Sequence, residues 1–134
     1  MRRALAAPVL AFALFGLAAC GSSKPATAPP PPPPTNLQGQ AAVQIDATGN
    51  QFHPSSIIID AGTKVTWRNA DAVAHNVKKS ADAVDFGAPF GIDSDKFLPG
   101  KTYTFTFTKP GNYAYQCTIH AGMTGNVEVR AKTG

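Results

Sequence analysis

The sequence predicts an all-β domain, a Greek-key β-sandwich or barrel, behind an apolar leader and a proline-rich linker. Three observations predict it. Apolar and polar residues alternate with period two in five separate runs, which is the signature of strands with one buried face. Asp60-Ala61-Gly62, Pro99-Gly100 and Pro110-Gly111 place turn residues between those runs. No window of ten or more residues carries a helical period.

From the N-terminus, Arg2 and Arg3 precede a stretch from Ala4 to Ala19 broken only by Pro8 and Gly16. Its sixteen residues fall short of the roughly 20 that span a bilayer, so residues 1–19 read as a cleaved signal peptide. Leu17-Ala18-Ala19-Cys20-Gly21 resembles the lipobox of bacterial lipoproteins. That resemblance implies a thioether-lipidated Cys20 at a new N-terminus, on a bacterial membrane and facing the periplasm or cell exterior. The alternative is an ordinary signal peptide with an incidental cysteine. Ala4-Leu5-Ala6 does not fit the flanks of a twin-arginine signal, which leaves general secretion.

From Gly21 to Gln40 the residues are Ser, Lys, Pro, Ala, Thr, Gly, Gln and Asn, with Leu37 the one larger apolar side chain, and residues 20–40, from the lipidated Cys20 on, are expected to be a disordered tether. Pro29 to Pro34 should form a polyproline II rod of about 19 Å, a stand-off from the membrane. A ligand for SH3-type domains is the competing reading, but an exported protein has little access to them.

The folded domain is expected over residues 41–134. Val43–Asp46, Val65–Arg68, Tyr103–Thr108, Tyr113–Cys117 and Val127–Arg130 alternate, and Ser56–Asp60 is a continuous β-branched run. Residues 80–96, with Gly87, Pro89 and Gly91, read as loops with one or two short strands. An immunoglobulin domain competes, but its pair of cysteines across the sheets is missing.

With 134 residues, the chain is too short for two ordinary enzyme domains. Its 2 cysteines permit one disulfide at most and exclude a four-cysteine zinc cluster. The net charge of +4 comes without a basic tract, so nucleic acid is not an expected partner.

The chemistry gathers around the second cysteine. Cys117 closes an alternating strand and begins Cys117-Thr118-Ile119-His120-Ala121-Gly122-Met123, a Cys-x-x-His-x-x-Met spacing in which Gly122 lets the backbone turn. His75, in Ala74-His75-Asn76-Val77, lies at the start of another expected strand that a sandwich brings alongside. A soft thiolate, two imidazoles and a weak thioether are the donor set of a blue-copper electron-transfer site. Zinc favours harder or more thiolate-rich sets. Copper, one ion per chain, is therefore the expected cofactor.

Each residue has a plainer reading. Cys117 as a buried structural thiol would be an oxidation liability in an exported protein unless something ligates it. His75 and His120 taken singly are ordinary histidines, and Met123 taken alone is core filler. His53 precedes Pro54, fits no donor pattern and reads as a non-ligand. Trp67 reads as core, with no redox role.

The order of several short motifs resembles the cupredoxins, in particular the plastocyanin, amicyanin and pseudoazurin group. They are Phe52-His53-Pro54, Gly62 to Asn69, His75-Asn76-Val77, Leu98-Pro99-Gly100, Pro110 to Cys117, and Cys117 to Met123. The resemblance implies a cupredoxin-like fold with His75, Cys117 and His120 as equatorial copper ligands and Met123 as the long axial one. It also implies that Asn76 ties the two ligand loops together through hydrogen bonds. The spacing from His120 to Met123 is similar to the short amicyanin loop, while Ile119 and Ala121 stand where the family commonly has prolines.

The expected function is a one-electron carrier between redox proteins. By resemblance these dock on an apolar patch around His120, formed by Ala74, Ile119, Ala121, Gly122 and either Phe90 or Pro89. Lys78, Lys79, Asp82, Asp85, Asp93 and Asp95 read as a solvated face beside it. A monomer held at the membrane by its lipid is expected. Copper capture and delivery would use the same ligands. Multicopper enzymes need further histidine-bearing centres, which 3 histidines do not supply.

Overall fold

The computed structural model describes residues 27–81 and 83–133. The expected signal peptide, Cys20 and Asp82 lie outside the described residues. The chain divides into two units, Met1–Pro30 and Pro31–Gly134, and the strands found among the described residues belong to the second.

Among the described residues all regular elements are strands: β1 (Thr35–Asn36), β2 (Ala42–Thr48), β3 (Gln51–His53), β4 (Ser56–Asp60), β5 (Lys64–Asn69), β6 (Lys78–Lys79), β7 (Thr102–Thr106), β8 (Gly111–Gln116) and β9 (Thr124–Arg130). They form a five-stranded sheet in the order β1-β4-β9-β8-β6 and a four-stranded sheet in the order β3-β2-β5-β7. Both sheets are mixed: β4 is parallel to β1 and β9, and β2 is parallel to β5. Parallel neighbours cannot be joined by tight hairpins. The turn at Asp60-Ala61-Gly62 accordingly carries the chain from one sheet to the other, and so does the turn at Pro110.

Alternation decides which residues face inward. Val43, Ile45 and Ala47 of β2, Val65 and Trp67 of β5, Tyr113 and Tyr115 of β8, and Val127 and Val129 of β9 are all buried in one core between the sheets. In β4 the continuous apolar run reflects burial on both faces. Ile57 and Ile59 join the core, whereas Ile58 is buried outside it.

Trp67 sits at the centre, edge-on to Tyr115 at 5.3 Å between ring centroids and beside Tyr103 at 5.5 Å. The irregular stretch after β6 supplies two aromatic plugs. Phe86 and Phe90 stack at 4.2 Å and pack on Phe105, Phe107 and Tyr113. That stretch carries a single bridge, Ile92 to Val77, in place of a strand.

Order begins ahead of Ala41. β1 pairs with β4, Leu37 packs against the core, and the Asp60 carboxylate accepts hydrogen bonds from Gln38 Nε2 (2.9 Å) and Gly39 N (2.7 Å). The edge of β4 has ladder groups to satisfy, and two residues of the linker satisfy them.

Candidate metal centre

The loop from Cys117 to Met123 joins β8 to β9, whose last pair before it is Gln116 with Thr124. It closes on itself: Cys117 N donates to Met123 O at 2.9 Å, and Met123 N donates to His120 O at 3.3 Å. Gly122 takes the left-handed conformation, φ 77°, that the reversal requires. Three potential donors therefore leave one short loop.

His75 arrives by strand pairing. β6 runs antiparallel to β8 with Lys78 opposite Gln116, so the residues before β6 run alongside the residues after β8. Asn76 then faces Thr118. The Asn76 Oδ1 accepts the Thr118 N–H at 2.8 Å, and its Nδ2 donates to Thr118 Oγ1 at 2.8 Å. This reciprocal clamp joins the two loops at the point where their histidines meet.

The result is a compact donor cluster. His75 Nδ1 lies 3.0 Å from His120 Nδ1, and Cys117 Sγ lies 3.5 Å from His120 Nδ1 and 4.0 Å from His75 Nδ1. All three donor atoms fall within 4.8 Å of one another. Such crowding of one sulfur and two imidazole nitrogens, all aimed at one point, suits a soft, small cation better than any contact the side chains make among themselves. His75 is fully buried and Cys117 is buried, while His120 is partly exposed. Met123 is fully buried in the adjoining core. His53 is exposed on β3, apart from the cluster.

A carboxylate absent from the sequence reading also reaches the cluster. Asp71 Oδ2 lies 2.8 Å from His75 Nε2, on the ring edge opposite the donor nitrogen. The backbone N–H of Asn50 does most to hold the Asp71 carboxyl below its ordinary value, with Gly49 and His75 adding to it. The spacing Asp-x-x-x-His is the signal that was there to be read; outside a helix, such spacing means little until the loop is known.

Exposed apolar side chains flank the donors in sequence, Val73 ahead of His75 and Ile119 beside His120. Ile119, Val73 and Leu98 are 50%, 47% and 43% exposed, three of the four large exposed hydrophobic side chains among the described residues. Buried Asn69 donates to both Val73 O (2.8 Å) and Phe97 O (2.9 Å), which holds the segments of Val73 and Leu98 together. The same Phe97 O accepts the His75 N–H. Phe90 is committed to the aromatic cluster around Trp67, and Lys78 is paired with Asp93.

Comparison with known proteins bears on this site directly. The profile of copper binding proteins of the plastocyanin/azurin family matches residues 39–130. A plastocyanin of Solanum crispum is 35% identical over 95 residues, covering 63% of this chain and 92% of that protein. A chloroplastic plastocyanin of Tetradesmus obliquus is 39% identical over 84 residues, covering 59% of this chain and 58% of that protein. Among solved structures, a reduced amicyanin point mutant superposes with a TM-score of 0.57 at 29% identity, over 66% of this chain and 82% of that one. A purple cupredoxin from Nitrosopumilus maritimus gives 0.54 at 28%, over 65% and 98%. The copper-containing nitrite reductase of Thermus scotoductus gives 0.60 at 31%, over 69% of this chain but 23% of the enzyme.

Proposed function

Because this chain belongs to the plastocyanin/azurin family of copper-binding proteins and takes one copper ion, we propose that it is a type 1 blue copper carrier that passes single electrons between redox proteins outside the cytoplasmic membrane. The observation that carries the reading is the convergence of His75 Nδ1, His120 Nδ1 and Cys117 Sγ from two loops. Cycling between Cu(I) and Cu(II) is the chemistry that copper supplies.

The residues of the chain do the rest. His75, Cys117 and His120 would hold the ion, with the Met123 thioether as a fourth, weaker donor. The Asn76–Thr118 clamp and the Cys117–Met123 backbone bond set the donors in place before metal arrives, so little has to rearrange when charge changes. A buried His75 and a partly exposed His120 make the latter the path for electrons to the surface. Around it, Ile119, Val73 and Leu98 form an apolar docking face for the apolar patch of a partner redox protein. A small contact of this kind suits transient association of a monomeric carrier. The plastocyanin and amicyanin relatives, matched over most of their own lengths, support a carrier rather than an enzyme.

Titrating the copper-free chain with Cu(II) should give one equivalent bound, an intense blue thiolate-to-copper band, and a reversible one-electron titration. Cys117→Ser should abolish the band. Release of copper on each reduction, with rapid transfer to a copper-free acceptor, would overturn the carrier in favour of copper delivery.

The leader 1–19, lipidated Cys20 and linker complete the proposal: an exported protein tethered to a bacterial membrane. Incorporation of a labelled fatty acid into the chain, abolished in Cys20→Ala, is the expected result. Equal labelling of both would remove the anchor from the reading.

A further inference from the structure

Asp71 lies at a junction of three segments. Its Oδ1 accepts Gly49 N at 2.8 Å and its Oδ2 accepts Asn50 N at 3.0 Å. These are the two residues of the turn between β2 and β3, both with positive φ (60° and 55°). Its own N–H donates to Asn69 Oδ1 at 3.0 Å, and Asn69 is fully buried with its amide spent on Val73 O and Phe97 O. The loop is thus shaped by a buried amide, and the carboxylate is pinned by two backbone donors.

The chemistry of the 2.8 Å contact between Asp71 Oδ2 and His75 Nε2 then has one solution. An ionised carboxylate only accepts, so the His75 Nε2 must donate. In a neutral imidazole that leaves Nδ1 with its lone pair, and Nδ1 is the atom that faces Cys117 Sγ and His120 Nδ1. We infer that Asp71 is a positioning residue of the copper centre: it selects the Nε2–H tautomer of His75 and sets a fixed negative charge one ring away from the metal. Carboxylates behind ligating histidines orient the ring and raise its basicity. A negative charge there favours the more highly charged Cu(II), so Asp71 lowers the reduction potential.

The inference rests on the copper reading, and its test has an arm that needs no copper. In the mature chain, nitrogen NMR of the copper-free protein should show His75 as the Nε2–H tautomer, and Asp71→Ala should shift it towards Nδ1–H. In the copper-loaded protein, Asp71→Ala should weaken Cu(II) binding about 10- to 100-fold. Asp71→Asn keeps one acceptor oxygen and the shape while removing the charge. It should raise the potential, and because one of the two backbone donors then faces the amide nitrogen, the copper-free protein should also unfold at a somewhat lower temperature.

Nδ1–H in the wild type, or a tautomer untouched in Asp71→Ala, would overturn the inference. So would variants that lose stability while potential and copper affinity stay unchanged, because a purely structural role predicts that pattern. If the tautomer shifts as expected but no form turns blue, the copper reading fails and the pairing of Asp71 with His75 stands.

Discussion

Single side chains make this centre precise, and they were unequally visible in the sequence. Cys117, His120 and Met123 stand within one loop, so their spacing alone suggested a shared point. Asn76 was found through motif resemblance, and the structure gives the physical basis: the register of β6 on β8 sets it against Thr118. Asp71 was missed because its role depends on a turn far away in sequence, Gly49-Asn50. Buried aromatics pose a different problem. Trp67 Nε1 and Tyr115 Oη are buried without hydrogen-bond partners, and burial pushes the Tyr115 phenol far up from its ordinary value. Burial also raises Tyr103 and Tyr113. A raised phenol favours the neutral folded state, so this stability is intact below about pH 10 and declines as pH climbs beyond it. Alkaline titration of the 3 tyrosines should therefore develop phenolate absorbance late, with Tyr115 ionising only as the fold opens. Phenolate absorbance that matched the unfolded chain at each pH would contradict this.

At the level of strands, the alternating runs located β2, β5, β7, β8 and β9, and the continuous run located β4, within a few residues. What pattern could not convey was partnership. A period of two reports that one face is buried, but it is the same for a hairpin and for a crossover between sheets. The short strands β1, β3 and β6 carry too few residues for any period, although Gly49-Asn50 is a recognisable tight-hairpin pair. β8 and β9 also show how local composition serves packing. Tyr115 is directly opposite Gly125, and a Cβ on Gly125 would fall 2.2 Å from Tyr115 Cζ and 2.3 Å from its hydroxyl oxygen. Gly125→Ala should thus displace a ring at the heart of the core and destabilise the protein by about 1–3 kcal/mol. Denaturant unfolding measures it, and an unchanged midpoint would mean that the ring has room to move.

The molecule as a whole closes around its core with pieces that lie outside the predictable strands. Phe86 and Phe90 from an irregular stretch seal the aromatic cluster, and β1 with Leu37 covers β4 from what reads as linker. A chain starting at residue 41 should consequently be less stable than one starting at residue 31, by about 1–3 kcal/mol for the lost ladder and the Leu37 contact. Calorimetry on the two chains decides the matter, and equal stability would show that the linker residues merely rest on the domain. The exposed Ile119, Val73 and Leu98 likewise come from three separate segments, and only the Asn69 amide bonds reveal that two of these are held together.

Residue order was enough to establish the all-β class, the position of most strands and the copper-binding character of the chain, because these depend on local periodicity, composition and the short spacing around Cys117. Folding in three dimensions settled how the strands pair, that residues 35–40 join the domain, and that Asp71 stands behind His75. Those are contacts between residues distant in sequence, set by backbone hydrogen-bond register and by buried groups that must find partners, and no local pattern encodes them.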